Sequence, residues 1–132
     1  MFENVFKKDG KNLFLTSFLG SKEFLYFYIL HLLNEKDMYG EEISRAILVI
    51  SKGNWYPNPG FIYPVLKKLS VSGYIKGEWL LGETKHPRLV YKITEKGRQY
   101  YRKLKNEWKE GLKEFIDILK MIDEEGIIWK LE

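Results

Sequence analysis

A mainly helical chain with one small β-hairpin and a long last helix is the fold this sequence predicts, and three observations carry it. Apolar residues recur at helical spacing in three segments between Phe24 and Leu69, and again from Tyr101 to Ile122. Between these regions, Tyr74 to Leu80 and Arg88 to Ile93 alternate with a period of two, are rich in Tyr, Trp, Ile, Val and Leu, and flank the polar run LGETKHP. Finally, 132 residues with 45% apolar and 16% aromatic content are enough for one packed domain and too few for two independent cores.

Each element has a local reason. Leu13, Phe14, Leu15, Phe18 and Leu19 make an amphipathic piece ending at Gly20, read as a helical arm over residues 1–20. Ser21 is a good N-cap for a first helix running to about Asn34. That helix is apolar on nearly every face, so it must be covered from more than one side, and part of the cover is expected from another chain. Asp37 and Gly40 mark a turn, after which Ile43, Ile47 and Ile50 share one face of a second helix from about Glu41 to Ile50. SKGNWYPNPG reads as a loop on its Gly, Asn and Pro content.

The third helix turns Ile62, Leu66 and Leu69 inward and ends near Gly73, a left-handed C-cap. Pro64 either occupies the first turn of a helix beginning near Phe61 or kinks one that begins earlier, because proline cannot donate to the carbonyl four residues back. In the second strand of the hairpin, Leu89, Tyr91 and Ile93 face the core, while Arg88, Val90 and Lys92 face outward. Thr94 caps the long helix, with Glu95 in its first turn. There Tyr101, Leu104, Trp108, Phe115, Ile118 (with Leu119 beside it) and Ile122 step by four and three, with Gly111 in the remaining slot. Such a heptad seam needs a partner, and a homodimer is the economical one. The organisation is thus an arm (1–20), a three-helix and hairpin domain (21–93) and a dimerisation helix with its tail (94–132).

Composition excludes several classes. The run FLYFYILHLL, Phe24 to Leu33, is too short to cross a bilayer and contains His31. The N-terminal residues lack the order of basic, apolar and small-residue segments that marks a signal peptide. Without cysteine there is no disulfide framework and no thiolate chemistry, and a soluble cytoplasmic protein is expected. His31 on an apolar helix and His86 in a loop make no metal site, and no cofactor motif is present. No Gly-rich phosphate loop, carboxylate pair or nucleophile context supports an enzyme. Alanine and glutamine occur once each, a bias shared by heat-adapted proteins and by those of AT-rich genomes.

Charge is distributed unevenly. The net charge is +4, but residues 58–105 hold eleven cations against three anions. Residues 106–132 hold four cations against eight anions. A regional basic patch is what a polyanion-binding surface requires. Three helices followed by a hairpin is the order of a winged helix-turn-helix domain, whose third helix enters the major groove of double-stranded DNA while the hairpin flanks the duplex. The residues expected on that surface are Asn58, Gly60, Phe61, Tyr63, Pro64, Lys67 and Lys68, with Lys85, His86 and Arg88 of the wing. A winged-helix module that binds protein instead is the rival, and it should carry apolar or acidic residues where this chain has Lys67, Lys68, Lys85 and Arg88.

The chain resembles the PadR-like transcriptional regulators. The matching residues are Tyr39-Gly40 before the second helix, Pro59-Gly60-Phe61-Ile62-Tyr63-Pro64-Val65-Leu66 with Leu69 through the third, Gly73, and Arg88, Tyr91, Ile93, Thr94 and Gly97. The resemblance implies a dimeric repressor whose C-terminal helices, with N-terminal elements, form the interface. Phe14, Phe18, Phe27, Tyr101, Leu104, Trp108, Phe115, Leu119 and Ile122 are the interface residues on that reading. It also implies an effector role for Trp108, since some multidrug-sensing relatives sandwich planar aromatic ligands between paired tryptophans at that position. Phe61 departs from the Thr or Ser common in the family, which removes one potential hydrogen bond to DNA. Leu89 and Val90 make the second wing strand less basic than usual.

Overall fold

The computed structural model of the chain describes residues 7–8, 11–12, 21–81 and 87–124. Lys7–Lys8 (β1) and Lys11–Asn12 (β2) pair antiparallel, with Lys8 opposite Lys11. The helical reading of the arm rests on Leu13 to Leu19, which lie outside the described residues. Phe14 and Phe18 lie outside the described residues.

Helix α1 (Lys22–Glu35) is capped by Ser21, whose Oγ accepts the Phe24 N–H at 3.2 Å. It buries Leu25, Ile29, Leu30, Leu32 and Leu33, more than one face, as its all-round apolar pattern demands. Strand β3 (Met38–Tyr39) follows, and then helix α2 (Gly40–Ile50). Glu42 reaches back to accept the Tyr39 N–H at 3.2 Å, satisfying one of the donors left open at the helix start. Ile43 and Ile47 are buried, whereas Ile50, on the same face, is 49% exposed because the helix ends there.

Helix α3 (Pro59–Val71) starts at Pro59, with Asn58 Oδ1 accepting the Phe61 N–H at 3.0 Å. Pro59 takes the first helical position, where the missing N–H costs nothing, and Pro64 falls inside the helix in its second turn. The earlier of the two starts is the one adopted, so Pro64 withholds a donor from the Gly60 carbonyl. Ile62, Val65, Leu66 and Leu69 face the core. The helix closes in a Schellman motif: Gly73 has φ +82°, its N–H donates to Ser70 O, and the Tyr74 N–H donates to Leu69 O, both at 3.0 Å.

Strands β4 (Ile75–Leu81) and β5 (Pro87–Ile93) pair antiparallel, with Ile75 opposite Ile93 and Trp79 opposite Leu89. The expected hairpin is the larger part of a three-stranded sheet in the order β3-β5-β4, because Met38 pairs with Tyr91 and Tyr39 with Val90. Helix α4 (Glu95–Asp123) is 29 residues long. Its cap, Thr94, accepts the Gly97 N–H at 3.0 Å and turns its own hydroxyl toward the Gly73 and Tyr74 carbonyls at 2.6 and 3.1 Å.

The chain divides into two compact units, residues 1–101 and 102–132. Within the first, Tyr101 is 7% exposed, its ring stacked on Phe27 at 5.7 Å and its hydroxyl 2.8 Å from His31 Nδ1. Tyr101 is one of the residues expected at a dimer interface; within the single chain its side chain packs into the core. The second unit carries Leu112, Phe115, Ile116, Ile118, Leu119 and Ile122, each at least 41% exposed. No helix among the described residues is long and apolar enough to cross a membrane.

Candidate nucleic-acid interface

The third helix has one buried and one exposed side. Ile62, Val65, Leu66 and Leu69 are covered, while Tyr63, Pro64, Lys67, Lys68 and Val71 are exposed. At roughly 100° per residue, Tyr63 and Lys68 stand about 140° apart around the axis and mark the two edges of this exposed side. Lys67 and Pro64 lie between them.

A groove runs along the Tyr63 edge, lined by Tyr39, Gly40, Glu41, Tyr63, Trp79, Pro87, Arg88, Leu89 and Tyr91. It joins the start of α2, the third helix and the wing. Arg88 holds its guanidinium 4.8 Å from the Tyr39 ring centroid, a cation–π contact that orients it while leaving its hydrogens free to face outward. Tyr63 rests against Gly40: a Cβ on that glycine would come within 3.0 Å of the ring. Burial pushes the Tyr91 hydroxyl above its ordinary range, and the neighbouring Tyr63 hydroxyl adds to the effect. Glu41, the one acid among the described residues that line the groove, is paired with Arg45 at 2.6 Å. The arrangement offers phenol hydroxyls and a fixed cation to an anionic, hydrogen-bonding surface.

A second groove runs along the Lys68 edge, lined by Lys22, Tyr26, Gly60, Phe61, Pro64, Val65 and Lys68. Lys68 Nζ lies 5.5 Å from the Tyr26 ring centroid. Phe61 packs edge-on against Trp55, with centroids 5.6 Å apart, so it is half-buried and serves to pin the loop onto the helix start. Asn58 spends its side-chain oxygen on the cap. The structure thus brings Tyr63, Pro64, Lys67, Lys68 and Arg88 onto or beside one helix. Lys85 and His86 lie outside the described residues.

Much of the regional positive charge has partners within the fold. Lys92 faces Glu78 at 3.4 Å and Asp37 at 3.9 Å, Arg98 faces Glu95 at 3.9 Å, and Lys103 faces Glu107 at 4.0 Å. Lys96 donates to the Ser72 carbonyl at 2.8 Å. These pairs are exposed and weak, so they soften the patch without cancelling it. Sequence reasoning missed Tyr39, Trp79 and Glu41 as groove-lining residues. A signal existed for Trp79: alternation places it on the same strand face as Ile75, beyond the edge of the core, where it is 69% exposed.

Three helices, a capped third helix with a charged outer side and a wing beside it define the winged helix-turn-helix class of regulator. Residues 29–103 match the Transcriptional regulator PadR-like family, and the chain belongs to it. The family is one of transcriptional regulators, not of enzymes. The chain is 34% identical to the Transcriptional regulator YqjI of Escherichia coli (strain K12) over 83 residues, 63% of this chain and 38% of that one. It is similar to the structure of a transcriptional regulator from Clostridium thermocellum, at 31% identity and a TM-score of 0.67, over 73% of this chain and 93% of that one. Bacillus subtilis PadR, solved in complex with operator DNA, is 29% identical with a TM-score of 0.55, over 60% of this chain and 45% of that one. The chain therefore spans less than half the length of YqjI and of Bacillus subtilis PadR.

Proposed function

We propose that this protein is a sequence-specific DNA-binding repressor that holds a pseudo-palindromic operator as a homodimer. The observation that carries the reading is the two-sided third helix, apolar inside and lined outside by Tyr63, Pro64, Lys67 and Lys68, with Arg88 of the wing beside it. That side enters the major groove; Tyr63 reaches a base edge or phosphate, Lys67 and Lys68 bind phosphates, and Arg88 holds the flanking backbone. Bacillus subtilis PadR, a relative solved with operator DNA, supports the same partner class. The exposed apolar side of α4 supports the dimer, with Leu104, Trp108, Phe115, Leu119 and Ile122 on its seam. Dimerisation sets the two third helices about 34 Å apart, one turn of the duplex. Repression follows from occlusion of the promoter by the bound dimer. Trp108 is the proposed platform for a planar aromatic effector, which would loosen DNA binding as it inserts into the seam.

Selection of bound duplexes from a random pool tests the central claim, and failure to enrich any sequence at moderate salt overturns it. On the enriched operator, Lys67→Ala with Lys68→Ala should weaken binding to all duplexes and lower the salt slope by up to about two units. An unchanged slope removes those lysines from the interface. For the effector, planar aromatic compounds should quench tryptophan fluorescence in the wild type and fail to do so in Trp108→Phe.

A further inference from the structure

We propose that Lys22 and Tyr26 of α1 join Lys68 in a second DNA-phosphate site, on the flank of the third helix away from the wing. The inference rests on the DNA-binding reading and extends it to a helix that the reading had left to core packing. A helix with its side chains is about 10–12 Å across, close to the roughly 12 Å width of the major groove. A helix seated there lies between two phosphate backbones, one on each flank. The wing serves one flank through Arg88, beside Tyr63. The other flank, at the Lys68 edge, meets the second backbone.

What lies along that edge suits a phosphodiester. Lys22 and Tyr26 of one helix and Lys68 of another line one groove, and no carboxylate is among the described residues that line it. Neither lysine has a carboxylate partner among the described residues, unlike Lys36, Lys92 and Lys103. Lys22 is the first residue of α1, where a cation opposes the helix dipole and only the adjacent Glu23 offsets it. An anion in the groove would reverse that local penalty. The Tyr26 face holds the Lys68 ammonium at 5.5 Å, so the cation is oriented by an uncharged group and keeps its charge for an outside partner. The Tyr26 hydroxyl can then donate to a phosphate oxygen, as tyrosine does at DNA backbones.

The test is titration of the enriched operator and an unrelated duplex, over a series of salt concentrations, with wild type, Lys22→Gln, Tyr26→Phe and Arg88→Gln. Lys22 is exposed, so thermal melting of Lys22→Gln should match wild type. The site predicts that Lys22→Gln weakens both duplexes about equally, three- to tenfold, and lowers the salt slope by about 0.9. Tyr26→Phe should weaken both by a smaller factor at an unchanged slope. If Lys22→Gln keeps the wild-type affinity and slope while Arg88→Gln loses both, the second site is refuted and the DNA reading stands. If the wild type binds no duplex, both fall.

Discussion

The Tyr63 ring lies against the bare Cα of Gly40, so that a Cβ there would stand 3.0 Å from its Cε1 and 3.2 Å from its hydroxyl oxygen. The glycine at the start of α2 thereby sets the position of an exposed side chain on α3. Gly40→Ala, at the first helical position, should gain less than the roughly 1 kcal/mol of helix propensity of an interior site while pushing the ring aside by a few tenths of an ångström. The expected result is a melting temperature within a few degrees of wild type and an operator dissociation constant raised three- to tenfold, about 1 kcal/mol of a misplaced contact. Fluorescence anisotropy and thermal melting check the split; equal affinity would show that Tyr63 is not held in place for DNA.

Gly97 has a different task. A Cβ there would lie 2.0 Å from the Tyr74 carbonyl oxygen and 2.8 Å from Ile93 Cγ1, so the start of α4 crosses the chain leaving α3 at backbone contact. Since a carbonyl cannot swing away as a side chain does, Gly97→Ala should destabilise the domain by at least about 3 kcal/mol. Thr94→Val keeps the cap's shape but loses its bonds to Gly97, Gly73 and Tyr74, and should cost about 1–2 kcal/mol. Denaturant unfolding at fixed protein concentration separates the two, and a larger loss for Thr94→Val would reverse the ranking argued from these distances.

These two glycines show where the sequence could be read and where it could not. Ser21, Thr94 and the left-handed Gly73 are local signals, and the helices they bound were legible to within two residues. So was the inward face of α3, because periodicity fixes which positions meet the core. Strand β3 was not, for two residues carry no period and its partner Tyr91 lies 53 positions on. Tyr101 fitted the heptad as well as its neighbours did, and only the folded position of Phe27 and His31 draws it inward. At the candidate site the third helix and Arg88 were legible from charge and motif order. Tyr39, Trp79, Lys22 and Tyr26 were not, because what selects them is proximity across elements, which no spacing within one element encodes.

The seam on α4 should control assembly. Phe115 and Leu119 are 43% and 45% exposed in the single chain, so charging them leaves the monomer's core intact. A symmetric interface buries each of them twice, at about 1.5–3 kcal/mol per side chain. Phe115→Glu with Leu119→Glu should therefore raise the dimer dissociation constant by at least about 1000-fold in sedimentation equilibrium, with unchanged helicity. Operator affinity should fall with it, since two half-sites are then bound independently. A dimer that survives both charges would place the interface elsewhere.

Alkaline stability should report on Tyr28, which packs between Phe24 and His31, with ring centroids 5.7 Å from each. Burial pushes its hydroxyl from 10.0 to about 12. In the unfolded chain Tyr28 releases its proton near pH 10, whereas in the folded chain it keeps it until about pH 12. Between those values the unfolded state binds fewer protons, so stability contributed by neutral Tyr28 is complete below pH 10 and falls as pH rises toward 12. Tyr91 and Tyr101 are raised by burial as well, Tyr101 further by Glu35, and act in the same direction. Tyr28→Phe has no proton to lose, so its denaturation free energy should fall less steeply than wild type above pH 10, while below pH 10 the two curves stay a constant distance apart. Ultraviolet titration should show one late-ionising phenol missing in the variant. Parallel stability curves through the alkaline range would mean that Tyr28 ionises in the folded protein as readily as in the unfolded chain.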